Sequence, residues 1–108
     1  LLEPLQGVLE NMIPQVTELI GNYPNPFNPS TTFEYSLAAP AGRVEIAIYN
    51  ITGQRVSSLI EHSQAVGYYD VSWDATSNTG RPIASGLYFY QLRVDSELIS
   101  TQRMLLLR

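Results

Sequence analysis

From Thr31 onward, apolar residues recur at every second position. In TTFEYSL (31–37), Phe33, Tyr35 and Leu37 alternate with Thr32, Glu34 and Ser36. In RVEIAIYN (43–50), Val44, Ile46 and Ile48 alternate with Glu45, Ala47 and Tyr49. RVSSLI (55–60) is a weaker copy of the pattern, and YYDVSW (68–73) puts Tyr69, Val71 and Trp73 on one side. LYFYQLRV (87–94) and LISTQRMLLLR (98–108) are strand-like on both sides. Period two is the signature of a strand with one face turned to a core. Turn chemistry separates the runs: AAPAG, ITGQ, a loop EHSQAVG, the long ATSNTGRPIASG, and a tight DSE. Short strands punctuated in this way, with no strong helix between them, predict an antiparallel β-sandwich of about seven strands. The predicted core comprises Phe33, Tyr35, Val44, Ile46, Ile48, Val71, Trp73, Tyr88, Tyr90 and Leu92.

The front of the chain has a different period. Leu2, Leu5, Leu9, Met12, Val16 and Leu19 recur at three- and four-residue steps. That spacing predicts a short helix over roughly 4–13, ended by Pro14, with an extended piece from Gln15 to Gly21. Residues 1–21 read as a linker or the edge of a preceding domain, and residues 22–108 as the sandwich.

Between the two regimes lies NYPNPFNPST (22–31). Its prolines remove backbone donors and bias the residues before them to extended forms. Asn22, Asn25 and Asn28 are placed to bond neighbouring backbone as Asx turns. The segment reads as a stiff connector outside any sheet, with Tyr23 and Phe27 as apolar anchors over one end of the sandwich.

Composition narrows the chemistry. The chain has 108 residues, enough for one core without covalent staples. It has no Cys, which removes disulfides and thiolate metal sites. A net charge of −4 argues against a nucleic-acid partner. No apolar run reaches membrane-spanning length, and no leader with a basic start is visible at Leu1. His62 is the single histidine and falls in a polar loop, so no catalytic set assembles around it. The ten carboxylates are scattered, with no pair singled out. Asp74, Thr76 and Asn78 put oxygens at alternate positions before Gly80, loosely like the start of a calcium loop. The glycine is one place late, however, and no bidentate Glu follows. No metal, cofactor or small-molecule substrate is expected, and no enzymatic activity. Trp73 is expected at the core centre with its N–H on a partner, and Tyr88 is a candidate tyrosine corner. Tyr49, Tyr68 and Phe89 are the candidates for a solvent-facing aromatic row of the kind a carbohydrate-binding module needs.

Five pieces occur in one order: NYPNPFNPST, YNITGQRV (49–56), Trp73-Asp74, GRPIASGLYFYQL (80–92) and the closing RMLLLR. Together they resemble the C-terminal sorting domain, type A, of the type IX (Por) secretion system. The resemblance covers about 22–108 and implies a seven-stranded immunoglobulin-like sandwich appended to secreted and surface proteins. It also implies a role as an export signal, recognised by outer-membrane secretion machinery after periplasmic transit. The tail would then be removed by a sortase-like surface peptidase, leaving the passenger secreted or on the cell surface. By position, Arg103-Met104-Leu105-Leu106-Leu107-Arg108 matches the family's basic-Met-apolar-basic ending. Gly53-Gln54 matches its Gly-Gln turn, and Gly86 and Tyr88 its Gly-x-Tyr strand start. The Leu-rich front departs from the family's polar linker. On this reading the outer face and open edge of 103–108 are what the machinery reads. A second resemblance is to the immunoglobulin-like domain of flagellar hook-capping proteins, an assembly module sharing the W-D…G…SG-x-Y pattern. A non-catalytic binding module of an extracellular enzyme is the third alternative.

Overall fold

The computed structural model describes residues 13–108, and the expected helix over 4–13 lies almost wholly outside them. Seven strands follow in order: β1 (Glu18–Tyr23), β2 (Thr31–Leu37), β3 (Ala41–Tyr49), β4 (Arg55–Gln64), β5 (Gly67–Trp73), β6 (Gly86–Val94) and β7 (Glu97–Leu106). They form a three-stranded sheet, β1-β2-β5, and a four-stranded sheet, β4-β3-β6-β7. Every pairing between named strands is antiparallel. The two sheets enclose one core, the immunoglobulin-like sandwich that the period-two pattern predicts.

Nine of the ten predicted core residues are buried. The tenth, Val71, is half-buried and packs against them. An aromatic file runs through the core. Phe27 lies 6.1 Å from Trp73, Phe33 lies 6.0 Å from Trp73, and Phe33 lies 4.8 Å from Tyr90, all in the tilted geometry that aromatic quadrupoles favour. The β6–β7 hairpin turns on Asp95 and Ser96, whose φ values of 49° and 72° suit a two-residue loop. The Asp95 carboxylate also accepts from the Gly42 and Arg43 amides, tying this turn to the start of β3.

Three boundaries differ from the sequence reading. The sandwich starts at Glu18, not at residue 22, because Leu19 enters the core opposite Tyr35. A register shift at Leu19/Gly21 interrupts the alternation there and hid the strand. EHSQ, expected as loop, is the second half of β4 and places His62 opposite Arg43. Its pairing with β3 satisfies the backbone, while its side chains are mostly exposed, so it carries no alternation. Third, Asn22 and Tyr23 belong to β1 and Thr31 to β2, so only residues 24–30 are outside the strands. Tyr23 is 76% exposed and anchors nothing, whereas Phe27 is buried as expected.

Trp73 donates its indole N–H to the Thr76 carbonyl at 3.0 Å. Tyr88 donates to the Ala84 carbonyl four residues upstream at 2.7 Å, the tyrosine-corner arrangement. Tyr90 is fully buried, and its hydroxyl lies 2.9 Å from Asn22 Oδ1 and 3.1 Å from Gln102 Oε1. Burial pushes its phenol from the ordinary value of 10.0 up to about 12. Burial is also the largest cause of upward shifts at Tyr35 and Tyr88. The fold therefore holds the Tyr90 proton more tightly than the unfolded chain does. This contribution to stability is intact below the unfolded pKa near 10 and is lost as pH rises towards about 12. Denaturant melts across that window should show a steep fall in stability. Tyr90→Phe should flatten the fall while lowering stability at neutral pH, since Asn22 and Gln102 lose their donor. An unchanged alkaline slope in the variant would rule out Tyr90 as its source.

Candidate functional site at the seam of the proline segment and β7

The two motifs at opposite ends of the resemblance meet in space. β7 is the last strand of the four-stranded sheet, so one of its edges has no strand beside it. Residues 25–27 cover the far end of that edge. The Asn25 side chain works as a strand would: its Oδ1 accepts from the Leu105 amide at 3.0 Å and its Nδ2 donates to the Arg103 carbonyl at 3.4 Å. The backbone of Phe27 continues the ladder, its N–H donating to the Leu105 carbonyl and its carbonyl accepting from Leu107, both at 3.0 Å. The prolines explain why this is not simply an eighth strand. They lack the donors a ladder needs, so pairing passes to an asparagine side chain and a single residue between them. Phe27 then drops its ring onto Trp73. Further back, the Gln102 side chain donates to the Leu19 carbonyl at 2.8 Å, fastening β7 to β1.

This arrangement corrects the expectation that the edge of 103–108 is open. Along 103–107 its main-chain groups are already bonded to Asn25 and Phe27. Asn25 makes no Asx turn; its partners lie 78 and 80 residues away. Met104 and Leu106 point into the core, and Leu105 is half-buried, while Arg103 and Leu107 are exposed. The outer face, with Leu87 paired to Leu105, is the part of the motif left accessible.

The two flanking arginines have unlike roles. Arg103 lies exposed on the outer face. Arg108 reaches back across the long loop. Its Nε donates to the Ile83 carbonyl at 2.6 Å, its Nη2 to the Ala75 carbonyl at 2.9 Å, and its amide to Ser85 Oγ at 2.8 Å. Arg108→Glu places a carboxylate against these carbonyls and should cost about 1–2 kcal/mol. Arg103→Glu should change stability by about 0.5 kcal/mol or less. Equal melting temperatures for the two variants would refute the clasp assigned to Arg108.

The remaining motif residues hold turns. Gly53, at φ 83°, lets the chain fold back so that Asn50 Oδ1 accepts from the Thr52 and Gln54 amides, while Gln54 Oε1 accepts from Asn50 Nδ2. Gly86 opens β6 ahead of Tyr88. The calcium-like positions do not converge. Asp74 accepts from the Thr76 hydroxyl, and Asn78 Oδ1 is taken by the Ser58 amide at 3.1 Å and the Ser57 hydroxyl at 3.3 Å. Asn78 thereby pins the loop to β4. Among the described residues, no group of three or more His, Cys, Asp or Glu side chains is placed to hold a metal ion. Of the aromatic row, Tyr49 and Phe89 sit side by side on the outer face of the four-stranded sheet. Tyr68 is on the other sheet, so the three form no row. Sequence reading gave Asn22 and Asn25 local Asx turns and missed their partners across the fold, Tyr90 for Asn22 and β7 for Asn25; it missed Gln102 altogether.

Solved structures with a similar fold include proteins of two settings. Latent dimeric PorU from Porphyromonas gingivalis matches at a TM-score of 0.74 and 29% identity, over 87% of this chain but 9% of PorU. PorZ from the same organism, described as an essential surface component of the type IX secretion system, matches at 0.52 and 23%, over 81% of this chain and 11% of PorZ. FlgD from Pseudomonas aeruginosa matches at 0.55 and 22%, over 70% of this chain and 60% of FlgD. The chain thus spans about a tenth of PorU and of PorZ. No curated protein matches it. The family model that fits is that of the FlgD Ig-like domain, over residues 28–97, and the chain belongs to that family.

Proposed function

We propose that this domain is a folded export signal of the type IX kind, carried by a passenger protein and read at the outer membrane. The observation that carries this reading is the seam. The two motifs of the sorting-domain resemblance, NYPNPFNPST and RMLLLR, form one hydrogen-bonded unit through Asn25 and Phe27. The likeness to PorU supports the same reading. A signal must be presented in a fixed shape, and here β7 is held in register by β6 on one side and by the proline segment on the other. The recognised surface is the outer face, with Arg103, Leu105 and Leu107 beside Leu87. In this reading the domain has no catalytic activity of its own, travels through the periplasm to the cell surface or medium, and is removed there by a sortase-like peptidase. The test fuses residues 1–108 to a periplasmic reporter in a host with this secretion system. Export of the reporter, lost with Leu107→Glu at unchanged melting temperature, is the expected result. Periplasmic retention of the unmodified fusion would overturn the reading.

A second reading is an assembly module like the flagellar hook cap, favoured by the family match over residues 28–97. It predicts co-purification with flagellar components and no export of the reporter.

A further inference from the structure

The outer face of the four-stranded sheet concentrates charge of one sign. The chain carries a net −4, yet four of its six arginines project from this face: Arg43, Arg55, Arg93 and Arg103. One carboxylate shares it. Glu45, almost fully buried, lies 3.5 Å from Arg43 and 3.5 Å from Arg55. Arg93 and Arg103 form no ion pair among the described residues. Arg93 is held by one side-chain bond, Nη2 to Gln91 Oε1 at 3.1 Å, and its Nε has no partner. The opposite face has the reverse character: β1, β2 and β5 carry Glu18, Glu34 and Asp70 and no arginine.

On this face lies a groove of about 400 Å³, with Arg93 the one arginine among its lining residues. Tyr49 and Phe89 form its floor, and the turn at Ile51, itself 71% exposed, forms one wall. Arg55 stacks on Tyr49 with its guanidinium carbon 5.8 Å from the ring centroid. Arg103 pairs with Phe89 on the other side. Arg93 stands four residues from Phe89 on β6, a rise of roughly 13 Å along a strand.

We propose that this groove is a docking site for an acidic, extended segment of a protein partner, with carboxylates at Arg93 and Arg103 and an apolar side chain over Tyr49 and Phe89. Charge complementarity selects the occupant. An extended chain presents same-side residues every ~6.6 Å, so carboxylates four residues apart meet the two arginine rows. Guanidinium groups bind carboxylates in a planar, two-bond geometry. A membrane or nucleic acid is a large polyanion and meets the repulsion of the whole −4 chain. A short peptide senses only the field within about one Debye length, ~8 Å at physiological salt, where the arginines dominate. The site stands whether or not the domain is an export signal.

The experiment titrates isotope-labelled 1–108 with a short poly-glutamate peptide carrying one central Leu, and separately with phosphatidylglycerol vesicles and single-stranded DNA. The expected result is amide shifts confined to Tyr49, Phe89, Gln91, Arg93 and Arg103, weakening steeply with salt. Arg93→Gln with Arg103→Gln should weaken peptide binding about tenfold or more at unchanged melting temperature, and Glu34→Gln on the opposite face should not weaken it. Shifts elsewhere, tighter binding to vesicles or DNA than to the peptide, or full binding by the double variant would each overturn the proposal. If the double variant melts early, the shift map of the unmodified chain decides alone.

Discussion

Phe27→Ala should destabilise the domain by about 3–5 kcal/mol, the range for deleting a buried aromatic ring. The residue is 2% exposed although it sits in a proline-rich connector. Its ring packs on Trp73 at the closed end of the aromatic file. A domain of this size has roughly 5–15 kcal/mol to lose, so the variant sits near its unfolding threshold at body temperature. The expected loss is not only a cavity. Without the ring to hold it, the Phe27 backbone leaves β7, and the Leu105 carbonyl and Leu107 amide lose their partners. Hydrogen exchange separates the two parts. The Leu107 amide should exchange faster than the global loss of stability explains, while core amides of β3 track that loss. Uniform acceleration at all sites would mean that the connector fills the core without guarding the edge. A loss below about 1 kcal/mol would mean that the ring is not part of the core.

Trp73→Ala should cost a similar amount, about 3–5 kcal/mol, by a different route. Trp73 is 4% exposed and touches both Phe27 and Phe33. Its indole N–H is the donor to the Thr76 carbonyl, so the substitution also strands an acceptor at the mouth of the 74–85 loop. That loop is where Arg108 is clasped, through Ala75 and Ile83. The variant should therefore weaken the hold on the chain beyond β7 as well as the core. Trp73→Phe keeps most of the volume and lacks the donor. If it recovers most of the stability but not the slow exchange of the Arg108 amide, packing and loop anchoring are separable. Denaturant midpoints within about 1 kcal/mol of the parent for Trp73→Ala would refute its central place.

β2, β3 and β5 were legible because the apolar side chains of each that turn to the core alternate with mostly polar ones. That alternation survives in any linear reading of TTFEYSL or RVEIAIYN. Trp73 and Tyr88 were legible as well, since a buried indole or phenol must find a polar partner. β1 was not, because a bulge between Leu19 and Gly21 breaks the period just where the strand begins. Nor was the second half of β4, which pairs with β3 through its backbone while its side chains stay largely in solvent. The closing RMLLLR, expected as a strand apolar on both sides, belongs to β7 only as far as Leu106, and the edge expected to be open is closed. What closes that edge is an asparagine side chain nearly eighty residues away, and no local pattern records such a contact. The charge of each face was likewise invisible in the chain total of −4, for four arginines on four strands become neighbours only when the sheet aligns them. Local chemistry thus determined which segments extend and which side chains seek the interior. Tertiary structure alone decided which backbone groups remain unpaired and which charges share a surface, because both depend on register between strands that are remote in sequence.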